Sequence, residues 1–222
     1  MSAGSFVLGV DLDGVCGDYT AAFRSVVAAE RGIDPATLSE ARSWQFEEWG
    51  VTSAAEFDRL HRIAVLEHRM FRTMPVVTGA PDVLWRLSDA GVWIRIITHR
   101  LCVNWGHAIA VADTVGWLDE AGIPYRDICF LGAKPEVEAD CYVDDAIHNV
   151  VALREAGNDV IVFDQPYNAE IEGPRARGWH EVEELVVARI ARLGVPLQGQ
   201  LPGVDDPTAR LRARVSGEDR RG

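Results

Sequence analysis

The residues best suited to chemistry stand at the ends of short apolar runs. Asp11 and Asp13 follow the run at residues 6–10, and the rest of the set follows later runs of the same kind. Together these ends supply four carboxylates, one hydroxyl and one ammonium: Asp11, Asp13, Thr98, Lys134, Asp144 and Asp145. Carboxylates that lie close together cannot all stay ionised without a compensating cation, and Mg²⁺ prefers oxygen ligands. The set therefore predicts a Mg²⁺ site.

The apolar runs have the features of buried parallel strands, because they are short, rich in β-branched residues and bounded by Gly, Asp or Thr. They cover residues 6–10, 92–97, 128–131, 141–143 and 160–163. Helical patterns alternate with them at residues 79–90, 104–121, 147–156 and 181–193. This alternation predicts an α/β fold, a Rossmann-like parallel sheet with helices on both faces. Such sheets bind ligands at the carboxyl ends of their strands, where the polar set stands.

Residues 18–73 interrupt the alternation. This segment has no strand pattern, is rich in aromatic residues and shows helical patterns at residues 19–31, 35–42 and 53–69. Because it directly follows the first strand, we predict a small helical cap over the end of the sheet. The predicted catalytic core then comprises residues 1–17 and 74–195. Gly, Pro and polar residues dominate residues 196–222, where five arginines also cluster, and we expect a largely disordered tail.

Charge and composition argue against several classes of protein. The 222 residues carry 22 basic and 34 acidic side chains, and the net charge of −12 is wrong for a protein that binds a nucleic-acid polymer. No apolar run approaches the roughly 20 residues that span a bilayer. The four cysteines form no C-x-x-C pair, which favours a reduced compartment. We therefore expect a cytoplasmic protein that acts on a small molecule, with a homodimer left open.

The polar set resembles the four sequence motifs of the haloacid dehalogenase superfamily of phosphatases. The matching residues occur in the same order and on matching elements: Asp11-Leu12-Asp13-Gly14-Val15, Thr98, Lys134 and Asp144-Asp145. A narrower resemblance is to the 5′(3′)-deoxyribonucleotidases. Their D-M-D-G-V-L-A-D-F opening is similar to residues 11–19, and their P-x-P-G-A segment is similar to residues 74–80. Lys134 also precedes Asp144 by ten residues, the spacing of that family.

The resemblance implies a role for each carboxylate. Asp11 is expected to attack phosphorus and form an aspartyl-phosphate, and Asp13 to protonate the leaving alcohol and then activate water. Asp11, Asp145 and the main-chain carbonyl of Asp13 are expected to hold Mg²⁺. Asp144 is either a further ligand or a partner outside the ligand set. The Asp144-Asp145 pair is also suitably placed to cap the helix that follows.

The resemblance also implies which residues bind the phosphate. The hydroxyl of Thr98 and the ammonium of Lys134, the single lysine of the chain, are expected to bind phosphoryl oxygens. His99 and Arg100 follow Thr98, where the nucleotidases carry a small hydroxyl residue and Pro. Either side chain could reach the phosphate, and Arg100 could equally pair with an acidic neighbour.

Four aromatic residues of the predicted cap are candidates for stacking on a nucleobase: Trp44, Phe46, Trp49 and Phe71. The competing interpretation is that they form the core of the cap. Taken together, the motifs predict a Mg²⁺-dependent phosphomonoester hydrolase that acts on a nucleoside monophosphate. A phosphatase or phosphomutase for another small phosphate ester, and a non-catalytic binding protein on the same fold, remain alternatives.

Overall fold

The computed structural model describes residues 6–101 and 105–194. Within these residues six strands form one parallel sheet: β1 (Val7–Val10), β2 (Trp93–Thr98), β3 (Asp127–Phe130), β4 (Cys141–Asp144), β5 (Val160–Phe163) and β6 (Arg175–Ala176). Their order across the sheet is β3-β2-β1-β4-β5-β6, and every pairing is parallel. β1 therefore lies in the interior of the sheet, with β2 and β4 on either side.

The same residues contain seven α-helices: α1 (Tyr19–Arg31), α2 (Ala54–Leu66), α3 (Met70–Thr73), α4 (Ala80–Asp89), α5 (His107–Ala121), α6 (Ile147–Glu155) and α7 (Trp179–Leu193). The first three follow β1 and form the helical cap. The other four alternate with the strands or follow the last of them. None of the described helices is both long enough and apolar enough to cross a membrane.

Alternating strand residues divide into two hydrophobic cores, one on each face of the sheet. Ile161 belongs to the core that contains residues of α4 and α7. Its neighbours Val160 and Val162 belong to a second core with Val150 and Leu153 of α6. Because successive side chains of a strand point to opposite faces, this division puts helices on both faces. The predicted Rossmann-like fold is confirmed.

Two chain segments join the cap to the core, and they are hydrogen-bonded to each other. The amide of Asp18 donates to the carbonyl of Pro75 at 2.7 Å, and the amide of Val77 donates to the carbonyl of Cys16 at 2.8 Å. Asp18 also caps α1, because its Oδ1 accepts from the amide of Ala21 at 2.8 Å. These hydrogen bonds fix the start of α1 next to the motif at residues 11–15.

The cap is less helical than the sequence predicts. Residues 35–42 form only a 3₁₀ turn at Pro35–Thr37, because Leu38 adopts extended backbone angles and buries its side chain in the core. The helix predicted over residues 53–69 is α2, which ends earlier, at Leu66. Arg69, in a left-handed conformation with φ of 52°, precedes the separate short helix α3.

The carboxyl-terminal part of the chain contains one strand that was not predicted. This strand, β6, has only two residues and pairs with β5 at the edge of the sheet. The predicted tail at residues 196–222 lies outside the described residues.

We expect Asp18→Ala to lower the free energy of unfolding by about 1 kcal/mol, because it removes the acceptor in the first turn of α1. Urea unfolding followed by circular dichroism measures the change. Asp34→Ala is the matched control, since Asp34 accepts from the amide of Ala36 at 2.9 Å but caps only a single 3₁₀ turn. Its loss should be clearly smaller, and equal losses would contradict the capping role of Asp18.

Candidate functional site

Lys134 lies between two carboxylates at the carboxyl edge of the sheet. Its ammonium is 2.7 Å from Asp11 Oδ1 and 2.6 Å from Asp144 Oδ2, and all three side chains are buried. Burial by itself would lower the pKa of Lys134, but Asp11 and Asp144 outweigh it and raise this pKa above its ordinary value. Lys134 therefore stays charged and joins the ends of β1 and β4.

Asp144 has protein partners at both of its carboxylate oxygens. Oδ2 accepts from Lys134, and Oδ1 accepts from the amide of Ala146 at 3.0 Å and from Asn149 Nδ2 at 3.2 Å. Asp144 thereby holds the start of α6 and orients the ammonium of Lys134. Neither aspartate is the N-cap residue of α6, which is Ala146, but Asp144 accepts from the amide of that residue.

Two buried oxygens near this cluster have no hydrogen-bond partner among the described residues, and they are Asp145 Oδ1 and Thr98 Oγ1. Buried polar groups of this kind are normally satisfied. Asp11, Asp144 and Asp145 can each offer an oxygen within 4.8 Å of the other two. Such an oxygen donor set suits a hard divalent cation such as Mg²⁺, and the unpartnered Asp145 oxygen gives that cation a ligand. The Thr98 hydroxyl is free to bind an added oxygen.

The electrostatics of the cluster also favour a cation. Burial raises the pKa of Asp11 to about 7, with Lys134 opposing the shift and the neighbouring carboxylates adding to it. Burial, followed by the charges of Asp11 and Asp144, raises the pKa of Asp145 well above its ordinary value. Negative charge on these buried carboxylates is therefore unfavourable without a counter-charge, which a divalent cation would supply.

Asp13 forms a two-pronged ion pair with Arg100. Arg100 Nη2 lies 2.6 Å from Asp13 Oδ1, and Arg100 Nε lies 3.0 Å from Oδ2. The guanidinium also donates to Thr114 Oγ1 at 3.1 Å and lies 4.3 Å from the centre of the Phe71 ring. The structure thus brings Arg100 to Asp13, the pairing that the sequence offered as the alternative to phosphate binding.

A cavity of about 840 Å³ opens above the cluster, within the size range of small-molecule sites. Asp11, Asp13 and Asp145 line its floor together with His99 and Arg100, and aromatic side chains of the cap line its walls. Burial lowers the pKa of the His99 imidazole, which keeps the ring neutral at physiological pH. The predicted carboxylates and the predicted cap therefore meet at one cavity.

The aromatic candidates of the cap fall into two groups. Trp44, Phe46 and Phe71 line the cavity. Trp49 does not, because it is buried in the core of the cap, where its indole N–H donates to the carbonyl of Ser39 at 2.8 Å. The prediction that Trp49 could stack on a base is therefore corrected, and Trp49 is a packing residue.

The sequence analysis missed several cavity residues, among them Tyr19, Arg42, His61 and Tyr167. A signal existed for His61, which follows Phe57 by four residues on α2 and stacks on its ring at 5.4 Å. Burial lowers the pKa of His61 and keeps it neutral. Tyr167 follows the carboxyl end of β5, so the rule that identified the other strand ends could also have found it.

The parallel sheet, the buried acids at the ends of β1 and β4, and the helical cap after β1 together form the fold of haloacid dehalogenase-like hydrolases. Two solved structures share this fold. A haloacid dehalogenase-like hydrolase from Streptococcus pneumoniae aligns with a TM-score of 0.57 at 12% identity, covering 84% of this chain and 100% of its own. A hydrolase from Deinococcus radiodurans, determined with bound phosphate and sodium, aligns with a TM-score of 0.55 at 17% identity, covering 85% and 97%.

Sequence comparison gives the family. Residues 5–192 match the family described as 5′ nucleotidase, deoxy (pyrimidine), cytosolic type C, and the chain belongs to that family. A protein of Chlorobaculum tepidum assigned as a 5′(3′)-deoxyribonucleotidase is 45% identical over 190 residues, which cover 85% of this chain and 93% of the relative. The chain is thus a phosphomonoester hydrolase of the nucleotidase type, and the narrower resemblance seen in the motifs is confirmed.

We expect Lys134→Met to destabilise the protein by about 3–5 kcal/mol, because Asp11 and Asp144 then stay buried without their cation. Urea unfolding of the metal-free protein measures the loss. Arg192→Met is the control, since Arg192 is exposed near the end of α7 and its replacement should change stability by less than about 0.5 kcal/mol. Equal stabilities of the two variants would show that the buried ion pairs do not hold the site together.

Proposed function

We propose that the chain hydrolyses deoxyribonucleoside monophosphates through a phosphorylated Asp11, with Mg²⁺ as its cofactor. The observation that carries this proposal is the buried Asp11 at the floor of a cavity, in contact with Lys134. The unpartnered oxygens of Asp145 and Thr98 support it, since they match the needs of a metal ion and a phosphoryl group.

Asp11 is the nucleophile in this proposal. One of its oxygens forms a bond to phosphorus while the bond between phosphorus and the sugar oxygen breaks. Lys134 favours the ionised form of Asp11, and Asp144 fixes the ammonium from its other side. Water then attacks the aspartyl-phosphate and releases inorganic phosphate, which restores the Asp11 carboxylate.

Asp13 moves the protons in both steps. Its carboxyl group must carry a proton when the substrate binds. It gives that proton to the leaving sugar oxygen in the first step and takes one from the attacking water in the second. Arg100 holds both oxygens of Asp13 in a fork, a geometry that fixes the plane of the carboxyl group. The Asp13 side chain keeps 25% of its surface exposed and lines the cavity, whereas Arg100 is 1% exposed. Arg100 is therefore a positioning residue for Asp13.

Asp11, Asp145 and the main-chain carbonyl of Asp13 are the groups that hold Mg²⁺ in this proposal. When bound, the ion supplies charge that neutralises the phosphoryl oxygens. Asp144 stands outside the ligand set, because Lys134, Ala146 and Asn149 already occupy its oxygens. In this proposal Asp144 instead positions Lys134 through their ion pair.

Thr98, Lys134 and His99 bind the phosphoryl group. The hydroxyl of Thr98 is buried and unpartnered, so it can donate to a phosphoryl oxygen with no competing contact in the described protein. Lys134 supplies the positive charge beside Asp11. His99 lines the cavity and, as a neutral ring, can donate one N–H to the same group.

The cavity walls suit a nucleoside as the leaving group. Phe46 and Phe71 supply apolar ring surface inside the cavity, and Trp44, which is 41% exposed, lies at the wall where it can meet a base. Aromatic faces stack on nucleobases with little dependence on sequence. The choice of deoxyribose is supported by the name of the Chlorobaculum tepidum relative, which specifies deoxyribonucleotides.

The reaction takes place in the cytoplasm in this proposal. The described cysteines, Cys16, Cys129 and Cys141, are free thiols, as expected where disulfides are kept reduced. The description of the nucleotidase family to which the chain belongs also includes the word cytosolic.

Phosphate release in the presence of Mg²⁺ tests the proposed function. The substrates are deoxyribo- and ribonucleoside 5′- and 3′-monophosphates, sugar phosphates and p-nitrophenyl phosphate. We expect preference for deoxyribonucleotides, reversible loss with EDTA and no turnover by Asp11→Asn, because an amide cannot replace the nucleophile. Turnover by that variant would refute the mechanism. Hydrolysis of p-nitrophenyl phosphate alone would keep the phosphatase and refute the nucleotide as substrate.

We expect Asp13→Asn to lower kcat on a nucleotide by about 100- to 10,000-fold, the usual contribution of a general acid. The loss on p-nitrophenyl phosphate should be much smaller in the first step, because nitrophenolate leaves without a proton. Burst kinetics on both substrates separate formation of the phosphoenzyme from its breakdown. Asp119→Asn, an exposed change on α5, is the control. Equal effects of Asp13→Asn on the first step of both substrates would remove the acid role.

A further inference from the structure

The segment that follows β5 holds both acidic motif loops. Gln165 Nε2 donates to the carbonyl of Gly14 at 2.6 Å, and Asn168 Nδ2 donates to the carbonyl of Asp145 at 2.8 Å. Between these two residues, the hydroxyl of Tyr167 donates to Asp145 Oδ2. Side chains of residues 165–168 therefore connect the loop after β1 to the loop after β4.

Tyr167 decides which oxygen of Asp145 is available. Its hydroxyl occupies Oδ2, which leaves Oδ1 as the buried oxygen without a partner among the described residues. Gly14 packs directly against this pair: a Cβ at Gly14 would lie 2.2 Å from Asp145 Oδ2 and 2.9 Å from the Tyr167 hydroxyl. The carboxylate therefore has little room to rotate, and its orientation depends on the tyrosine.

The ring of Tyr167 is held in turn by the cap loop, residues 42–46. The guanidinium carbon of Arg42 lies 4.3 Å from the centre of the Tyr167 ring, and Arg42 Nε donates to Thr20 Oγ1 at 3.1 Å. The Trp44 ring meets Tyr167 edge to face, with centroids 5.3 Å apart. Trp44 also meets His148 of α6 in the same way at 5.4 Å. Tyr167 thus contacts both the cap and the acidic cluster.

We propose that Tyr167 is a positioning residue for the metal site, where its hydroxyl turns Asp145 Oδ1 toward the cation while Arg42 and Trp44 hold its ring. This inference rests on the proposed role of Asp145 as a metal ligand. It adds that metal affinity depends on a residue outside the ligand set and on contacts made by the cap. Partners that orient a ligand in this way typically change metal affinity by about 10- to 100-fold when removed.

Calorimetric titration of the substrate-free protein with Mg²⁺ tests the inference. We expect Tyr167→Phe to bind Mg²⁺ about 10- to 100-fold more weakly than the parent, because Asp145 loses the hydrogen bond that orients it. The Mg²⁺ concentration for half-maximal velocity should rise by a similar factor, while kcat at saturating Mg²⁺ recovers. Unchanged Mg²⁺ affinity in a folded Tyr167→Phe protein would overturn the inference.

Tyr125→Phe is the matched control. Tyr125 is half-buried, packs against the core and precedes β3, at the amino edge of the sheet, opposite to the acidic cluster. Its variant should bind Mg²⁺ as the parent does. Thermal unfolding of both Tyr→Phe variants confirms that they are folded at the temperature of the titration. A matching loss of affinity in the control would mean that the effect is not specific to Tyr167.

Two further variants separate the possible failures. Asp145→Asn should abolish Mg²⁺ binding, and parent-like binding by that variant would refute the metal site of the proposed function itself. Loss of binding in Asp145→Asn together with parent-like binding in Tyr167→Phe would refute only the positioning role. Trp44→Ala, at an exposed position, should weaken Mg²⁺ binding in the same direction as Tyr167→Phe. Parent-like affinity in Trp44→Ala would overturn the dependence on the cap.

Discussion

The buried ammonium of Lys134 between Asp11 and Asp144 is the interaction on which the rest of the site depends. Removing charges from water costs several kcal/mol for each ion, so three buried charged groups are tolerated only in close mutual contact. Parallel pairing of Val10 with Val143 brings the ends of β1 and β4 side by side. The fold thus supplies the two carboxylates at a spacing that one ammonium can bridge.

Lys134 follows β3, so the loop after β3 must bring its side chain to the ends of β1 and β4. β2 lies between β3 and β1, so the axes of β3 and β1 are about 10 Å apart at the usual strand spacing. The lysine therefore comes from the edge of the sheet and reaches inward to its centre. The 3₁₀ turn at Lys134–Glu136 makes this possible, and the long lysine side chain covers the remaining distance. A shorter cation at this position would leave Asp11 or Asp144 unpaired.

The sequence was sufficient to predict the sheet and the six polar residues of its edge, because main-chain topology alone decides which strand ends meet. It was insufficient where side-chain packing decides. Arg100 follows Thr98, and no spacing rule tells whether it points to the phosphate or to Asp13. The choice follows from Phe71 and Thr114, which come from the cap and from α5 and surround the guanidinium. Residues 35–42 and the two-residue β6 were missed because local patterns of that length carry little information.

The division of the cap aromatics has a similar cause. Trp49 and Phe46 pack at 5.0 Å in the same cluster, yet only Phe46 reaches the cavity. Phe46 takes a left-handed backbone conformation with φ of 60°, which is uncommon for a bulky residue. This conformation marks the point where the cap loop changes direction between the core of the cap and the cavity wall. Helical spacing in the sequence cannot reveal such a change.

The motif carboxylates at the edge of the sheet outnumber the cations that contact them. Among the described residues, the four carboxylates of the motifs have two cations in direct contact, Lys134 and Arg100. Two negative charges therefore remain. Burial first, and the neighbouring carboxylates in addition, raise the pKa values of Asp11 and Asp145. In the proposed function a divalent cation neutralises this excess beside Asp145, whose Oδ1 is buried and without a partner among the described residues. A phosphate monoester brings further negative charge, so the same proposal makes substrate binding depend on the metal ion.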